Sequence, residues 1–222
     1  MIEFMSGSLI VLGWWATWTA YIKYLRRTSQ LHRFHSGIYD LCTLAYALLA
    51  LILSAAHITP FTLPQLRSGP IDYLIAAASG IALWSLQRIY LWHARHRKNS
   101  DCALGHYPVR RPYLLPLTAA TEEILFRGCL LYGLIFLGVP PAGAILATGM
   151  LFGSLHAFQY GLYGVVLHTV TGIAFGILAV RFGLGAAVVA HVIFNAMVLL
   201  TARGPARSPT TERAGHGRPA GE

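Results

Sequence analysis

Charge is what this chain has least of. Only 11% of its 222 residues are Asp, Glu, Lys or Arg, where soluble domains carry about 25%. A water-facing surface cannot be covered with so few charges, which excludes an ordinary soluble fold. Acid is scarcer than base: eight acidic residues against 17 basic ones give a formal charge of +9. Between Arg127 and Arg181 no side chain is formally charged, and no aspartate follows Asp101. Cysteine is nearly missing as well. Cys42, Cys102 and Cys129 are scattered and odd in number, which excludes a disulfide framework and a thiolate metal site. There is no H-E-x-x-H zinc motif, no internal repeat and no soluble domain.

What remains is long apolar blocks. Seven candidate spans run over 6–24, 38–58, 71–92, 118–138, 141–159, 161–180 and 183–202, each close to the roughly 20 residues that cross a bilayer. The fold class is therefore all-α, a polytopic transmembrane helical bundle of about seven spans. The first span is expected to be a retained helix rather than a cleaved signal, because Glu3 precedes it and no basic leader or small-x-small cleavage site accompanies it.

The excess of base sets topology rather than recruiting nucleic acid. Lys23, Arg26, Arg27 and Arg33 follow span one, Arg95, Arg97, Lys98, Arg110 and Arg111 follow span three, and Arg203, Arg207, Arg213 and Arg218 follow span seven. With seven spans these segments share one side, which the positive-inside rule makes cytoplasmic. The other side collects Arg67 and Arg181. The C-terminus is then cytoplasmic. The basic connector 93–112 is expected to touch anionic lipid, and the Gly-, Pro- and Arg-rich tail 203–222 to be disordered. Residues 1–104 thus form N-terminal helices with a basic connector, and 105–202 a membrane core.

Chemistry is concentrated where "TEEILFRG" opens span four. Ionisable groups inside a membrane are costly, at least about 2.5–3.5 kcal/mol each at a helix centre, and therefore suggest function. Glu123 and Arg127 stand at i and i+4, the order that favours a helical ion pair. Glu122 is rotated by roughly 100° and faces another neighbour. Phe152 and His156 share a face in "FGSLH", as do His191 and Asn195 in "HVIFN". With the topology above, Glu122, His156, His191 and Asn195 lie about 6–15 Å from the cytoplasmic ends of their spans, at ~1.5 Å per residue.

A carboxylate, two imidazoles and an amide at one depth can hydrolyse a peptide bond. Desolvation disfavours a charged carboxylate, so a buried glutamate can take a proton from water near neutral pH. A histidine can share that proton, and donors on His191 and Asn195 can stabilise an oxyanion. The same residues can also bind zinc, since two His and a carboxylate are a catalytic ligand set. An aspartyl protease is excluded by Asp40 and Asp72 falling on opposite sides of the membrane. Ser154 reads as helix-packing surface, and so does the face of Gly172 and Gly176. His168 lies in none of the three motifs and reads as a packing hydrogen-bonder.

In order, "EEILFR", "FGSLH" and "HVIFN" match E-E-x-x-x-R, F-x-x-x-H and H-x-x-x-N. Over residues 105 to 200 the chain resembles the CPBP family, the CAAX-prenyl-protease and bacteriocin-processing membrane proteins, also called Abi. The resemblance implies a helical intramembrane protease of bacterial inner-membrane type, acting on a membrane-associated protein or peptide. By it, Glu122 and His156 activate water, His191 and Asn195 form the oxyanion site, and Glu123 and Arg127 assist. No cofactor is expected; a zinc-dependent protease is the alternative. The rivals from other classes are a non-catalytic immunity or binding partner and a proton-coupled transporter, and the latter is disfavoured by the absence of repeats.

Overall fold

The computed structural model describes residues 2–28, 36–56, 68–97 and 114–201. The expectations for most of the basic connector and for the tail lie outside these residues. Apart from short turns, the described residues are helical: α1 (Ile2–Arg27), α2 (Ser36–Ala55), α3 (Pro70–Arg97), α4 (Leu115–Glu123), a π-helical segment (Ile124–Leu131), α5 (Tyr132–Phe136), α6 (Pro141–Leu155), α7 (Ala157–Phe182) and α8 (Leu184–Thr201). The π segment joins α4 and α5 into one rod, so the described elements form seven rods, one for each expected span. Prolines open three of them: Pro70 begins α3, Pro116 stands in the first turn of α4, and Pro141 begins α6. At those positions the missing N–H has no helical partner to lose.

The bundle is apolar on its outside. Leu162 is 80% exposed and Leu200 77%, and Leu9, Leu41, Ile52, Ile71 and Leu74 are also largely uncovered. Buried instead are Glu122, Glu123, Arg127 and His191. Such an inverted distribution suits lipid, not water. Three stretches are long and apolar enough to cross a bilayer by composition: Ile38–Ala55, Gly164–Phe182 and Leu184–Thr201. The helix α6 is apolar but shorter, with 15 residues. The rod 115–136 holds its charges in the middle of an apolar helix, which lowers its hydropathy without exposing them.

Contacts fix the directions. Trp18 meets Tyr39 while Trp14 meets Thr43, the descending order of an antiparallel α1–α2 pair. The α6–α7 pair is antiparallel and very close. A Cβ on Gly149 would stand 3.0 Å from the Ile173 backbone nitrogen, one on Gly172 would stand 3.1 Å from the Cα of Gly149, and one on Gly176 would meet Ile145 at 3.2 Å. The small-residue face read around Gly172 and Gly176 is a real seam, and Gly149 and Gly153 are its other side. By contrast α3 and α8 run parallel, with Gly80 against Ala190 and Trp84 donating to Thr201.

One boundary moves. The reading of spans 141–159 and 161–180 put His156 inside span five, whereas α6 ends at Leu155 and His156 is the turn before α7. The cause is local. The His156 ring Nδ1 lies 2.9 Å from the Phe152 carbonyl, and its backbone N–H turns to Gly153 instead. A side chain that occupies its own i−4 carbonyl interrupts the helical ladder.

At the other end of α7, Gly183 has φ 92° and ψ 164°, a region essentially confined to glycine. Its N–H caps Ala179, while Ser68 at the foot of α3 donates to the Phe182 carbonyl beside it. Gly183→Ala is expected to cost about 1–3 kcal/mol, read as a loss of unfolding free energy in mixed micelles. Unchanged stability would show that the α7–α8 turn relaxes.

Candidate active site

Four charged or titratable side chains from α4, the π segment and α8 meet inside the bundle. Arg127 is 0% exposed. Its Nη1 donates to Glu123 Oε1 at 2.9 Å and its Nη2 to the Gly172 carbonyl at 2.7 Å. Phe126, Phe152 and Phe175 surround the guanidinium, with Cζ 5.9, 5.0 and 5.7 Å from their ring centroids. An ion pair, a carbonyl and three aromatic faces together stand in for water. The pair forms although Arg127 lies in the π segment, where i→i+5 bonding is rare and tends to occur at functional positions.

Glu123 Oε1 also takes His191. The ring Nδ1 lies 2.8 Å away. Because that oxygen belongs to a carboxylate already paired with Arg127, the shared proton must be on Nδ1. The Nε2 of His191 then points to Glu122, at 3.8 Å from Oε2. Phe175 stacks on the imidazole at 4.6 Å and 22°, and Phe152 meets it edge-on at 5.9 Å. The ring has little freedom to turn. Glu122 is buried too, and its Oε1 accepts the Tyr39 hydroxyl from α2.

Two carboxylates against one guanidinium leave one negative charge when His191 is neutral. A single added proton would balance the cluster. Burial makes this balance decisive, because an uncompensated charge away from water is costly.

His156 packs on Phe152 at 4.9 Å, and the same phenyl faces Arg127 and His191. His168, read from the sequence as ordinary packing, lies flat on His156 at 3.6 Å and 15°. Asn195, one turn beyond His191 on α8, directs its amide to the Leu115 carbonyl at 3.4 Å rather than to a glutamate. Ser154 turns outward and donates to the Leu151 carbonyl. Asp40 accepts the Thr118 hydroxyl at 2.7 Å, and Asp72 caps the Gly69 N–H at the start of α3. Among the described residues, no group of three or more His, Cys, Asp or Glu side chains is arranged to hold a metal ion. Glu123 Oε2 and Arg127 Nε are buried with no hydrogen-bond partner among the described residues.

Tyr39 was invisible to sequence reasoning. It lies in an apolar helix outside every motif, where an aromatic reads as packing or as an interfacial anchor. Only the folded contact identifies it.

The family model described as Type II CAAX prenyl endopeptidase Rce1-like matches residues 107–197. That segment contains Glu122, Glu123, Arg127, His156, His191 and Asn195, and the match supports the CPBP/CAAX protease family. Searches of curated proteins and of solved structures gave no match.

Removing the guanidinium while keeping its carboxylate strands a buried charge. Arg127→Leu is expected to lose about 3–5 kcal/mol of stability, measured as above. The double variant Glu123→Leu/Arg127→Leu should lose less than the sum of the singles. Strict additivity would mean the two do not act as a pair.

Proposed function

We propose that this protein is an intramembrane endopeptidase that hydrolyses a peptide bond of a membrane-associated protein or peptide, with Glu122 as the general base. The observation that carries the reading is a second buried carboxylate. Arg127 neutralises Glu123, while Glu122 faces an imidazole nitrogen at 3.8 Å. Structural packing does not need such a pair, whereas water activation does. The match to CAAX-type endopeptidases supports the reaction class.

In this reading a water between Glu122 and His191 lies within hydrogen-bond reach of both. Glu122 takes one of its protons as the hydroxide adds to the carbonyl carbon. The resulting oxyanion is stabilised by the Nε2–H of an imidazolium His191 and by the amide of Asn195, which would leave the Leu115 carbonyl to contribute. His156 orients the water from the α6–α7 turn. When the C–N bond breaks, the proton held by Glu122 passes to the leaving amine. Products are a carboxylic acid and an amine, and the site returns to its starting charge. Glu123, paired with Arg127, holds the His191 ring by its Nδ1–H, so that Nε2 faces Glu122.

No step is routed through a metal. The site faces the cytoplasmic half of a bacterial inner membrane in this proposal, with the C-terminus inside. That orientation rests on the basic segments that follow spans one, three and seven. The site itself lies where α1, α6 and α8 end and where α2 and α4 begin, the end that carries Lys23 and Arg27.

Two measurements test the reading. Comparing protein termini by mass spectrometry in host membranes with wild-type protein or Glu122→Gln should show termini that vanish in the variant, a loss of at least about 100-fold. Identical termini with equal folded protein would favour a non-catalytic binding partner. Second, cleavage by the purified protein should survive prolonged chelation. Loss of cleavage that added zinc restores would replace the glutamate mechanism with the zinc-dependent one.

A further inference from the structure

The matched family segment begins at residue 107, yet one atom bonded to Glu122 comes from far outside it. Tyr39 and Asp40 are neighbours on the first turns of α2, and each reaches a successive turn of α4. Asp40 accepts the Thr118 hydroxyl at 2.7 Å, and the Tyr39 hydroxyl donates to Glu122 Oε1. Positions 118 and 122 are one helical turn apart, so the two bonds register α2 against the helix that carries the base.

The phenol is held from behind. Trp18 meets the Tyr39 ring edge-on at 4.8 Å, and Trp14 meets it at 6.0 Å. Trp14 is itself fixed, because its indole N–H donates to Thr43 and its ring packs on Phe126. Thr43 in turn donates to the Tyr39 carbonyl. One helix pair thus supplies a wall of aromatic rings whose polar tip points at the site. Hydrophobic packing alone would not require that hydroxyl.

We infer that Tyr39 is a positioning residue of the site, its hydroxyl holding Oε1 of Glu122 so that Oε2 is the oxygen presented to His191. A carboxylate with two equivalent oxygens can rotate, and only one of them can take the proton from a water beside His191 Nε2. With Oε1 engaged, the reactive oxygen is defined before substrate arrives. Fixing a reacting group in its productive orientation is a recognised source of rate. The inference rests on the reading of Glu122 as the base. It assigns the N-terminal helices a part in the chemistry beyond anchoring.

The test uses the full chain in host membranes, with Tyr39→Phe, Tyr46→Phe and Glu122→Gln compared for the rate at which Glu122-dependent termini form. Tyr39→Phe keeps the ring against Trp14 and Trp18 and removes only the hydroxyl. Its rate is expected to fall about tenfold to a hundredfold, the range that corresponds to a lost hydrogen bond to a charged group. On the substrate so identified, the loss should lie in kcat with KM unchanged. Tyr46→Phe removes a phenol oxygen from the same helix that bonds Thr17 instead, and should cleave at the wild-type rate. In purified protein in lipid nanodiscs, the infrared carboxyl band that disappears in Glu122→Gln should shift in Tyr39→Phe.

A wild-type rate in Tyr39→Phe, with Glu122→Gln inactive, overturns the inference and leaves the protease reading intact. A raised KM with unchanged kcat also overturns it, since that would make Tyr39 a substrate contact. Termini unaffected by Glu122→Gln would overturn the protease reading and this inference together. Should Tyr39→Phe not accumulate, 3-fluorotyrosine at position 39 keeps the ring and alters the donor strength, and an unchanged rate there overturns the inference.

Discussion

The ion pair between Glu123 and Arg127 is the constraint around which the bundle is organised. A guanidinium at 0% exposure in a membrane protein needs partners for its charge and its N–H groups. It obtains a carboxylate from its own helix, a carbonyl from α7, and phenyl faces from the π segment, α6 and α7. Those partners come from distant parts of the chain, so satisfying one cation draws several helices to a common point. His191 then joins through the same glutamate oxygen, which brings α8 in as well. Burying the pair is no efficient source of stability by itself. Its effect is specificity: few arrangements of these helices leave no charge stranded.

From that centre the rest follows outward. The aromatic residues separate the charged groups from lipid and hold the imidazoles at defined angles. Phe152 touches Arg127, His156, His168, His191 and Phe126, so one ring sets the spacing of the arginine and three histidines. The core continues from there into α1 and α2 through Trp14, Trp18 and Ala47, which belong to the same packed cluster as Leu125, Phe126 and Phe152. A second cluster, built on Phe175, Ala186, Ala187 and Ala190, ties α3 to α7 and α8. Polar interior and apolar exterior are two sides of one solution.

Much of this was legible in the sequence, and for identifiable reasons. Helices were readable because apolar runs of this length have few other uses, and the Glu123–Arg127 pair because i and i+4 neighbours are set by helical geometry alone. The three motifs marked the helices on which the polar residues would lie. What could not be read depended on contacts between distant segments. Tyr39 carries no local signal, since its neighbours in sequence are ordinary membrane residues. His168 matched no motif, and its place on His156 follows only from the α6–α7 turn. That turn was itself displaced, because the His156 ring takes its own i−4 carbonyl, a competition periodicity does not register. Asn195 kept its expected helix and face, yet its amide bonds the Leu115 carbonyl. Nor does apolar patterning distinguish α from π bonding over Ile124–Leu131.

Gly172 has two duties that no other residue could share. Its missing side chain lets α7 come within contact of Gly149 on α6, and its carbonyl receives the Arg127 guanidinium. For a lineage drifting through neutral changes, this position has no conservative neighbour. Alanine would push the helices apart, and any such shift would withdraw the carbonyl from the cation at the same time. A packing defect on the α6–α7 seam is therefore also an electrostatic defect at the centre. Reversion at Gly172 itself would relieve both, which ties the history of an apolar seam to that of a charged pair on a different helix.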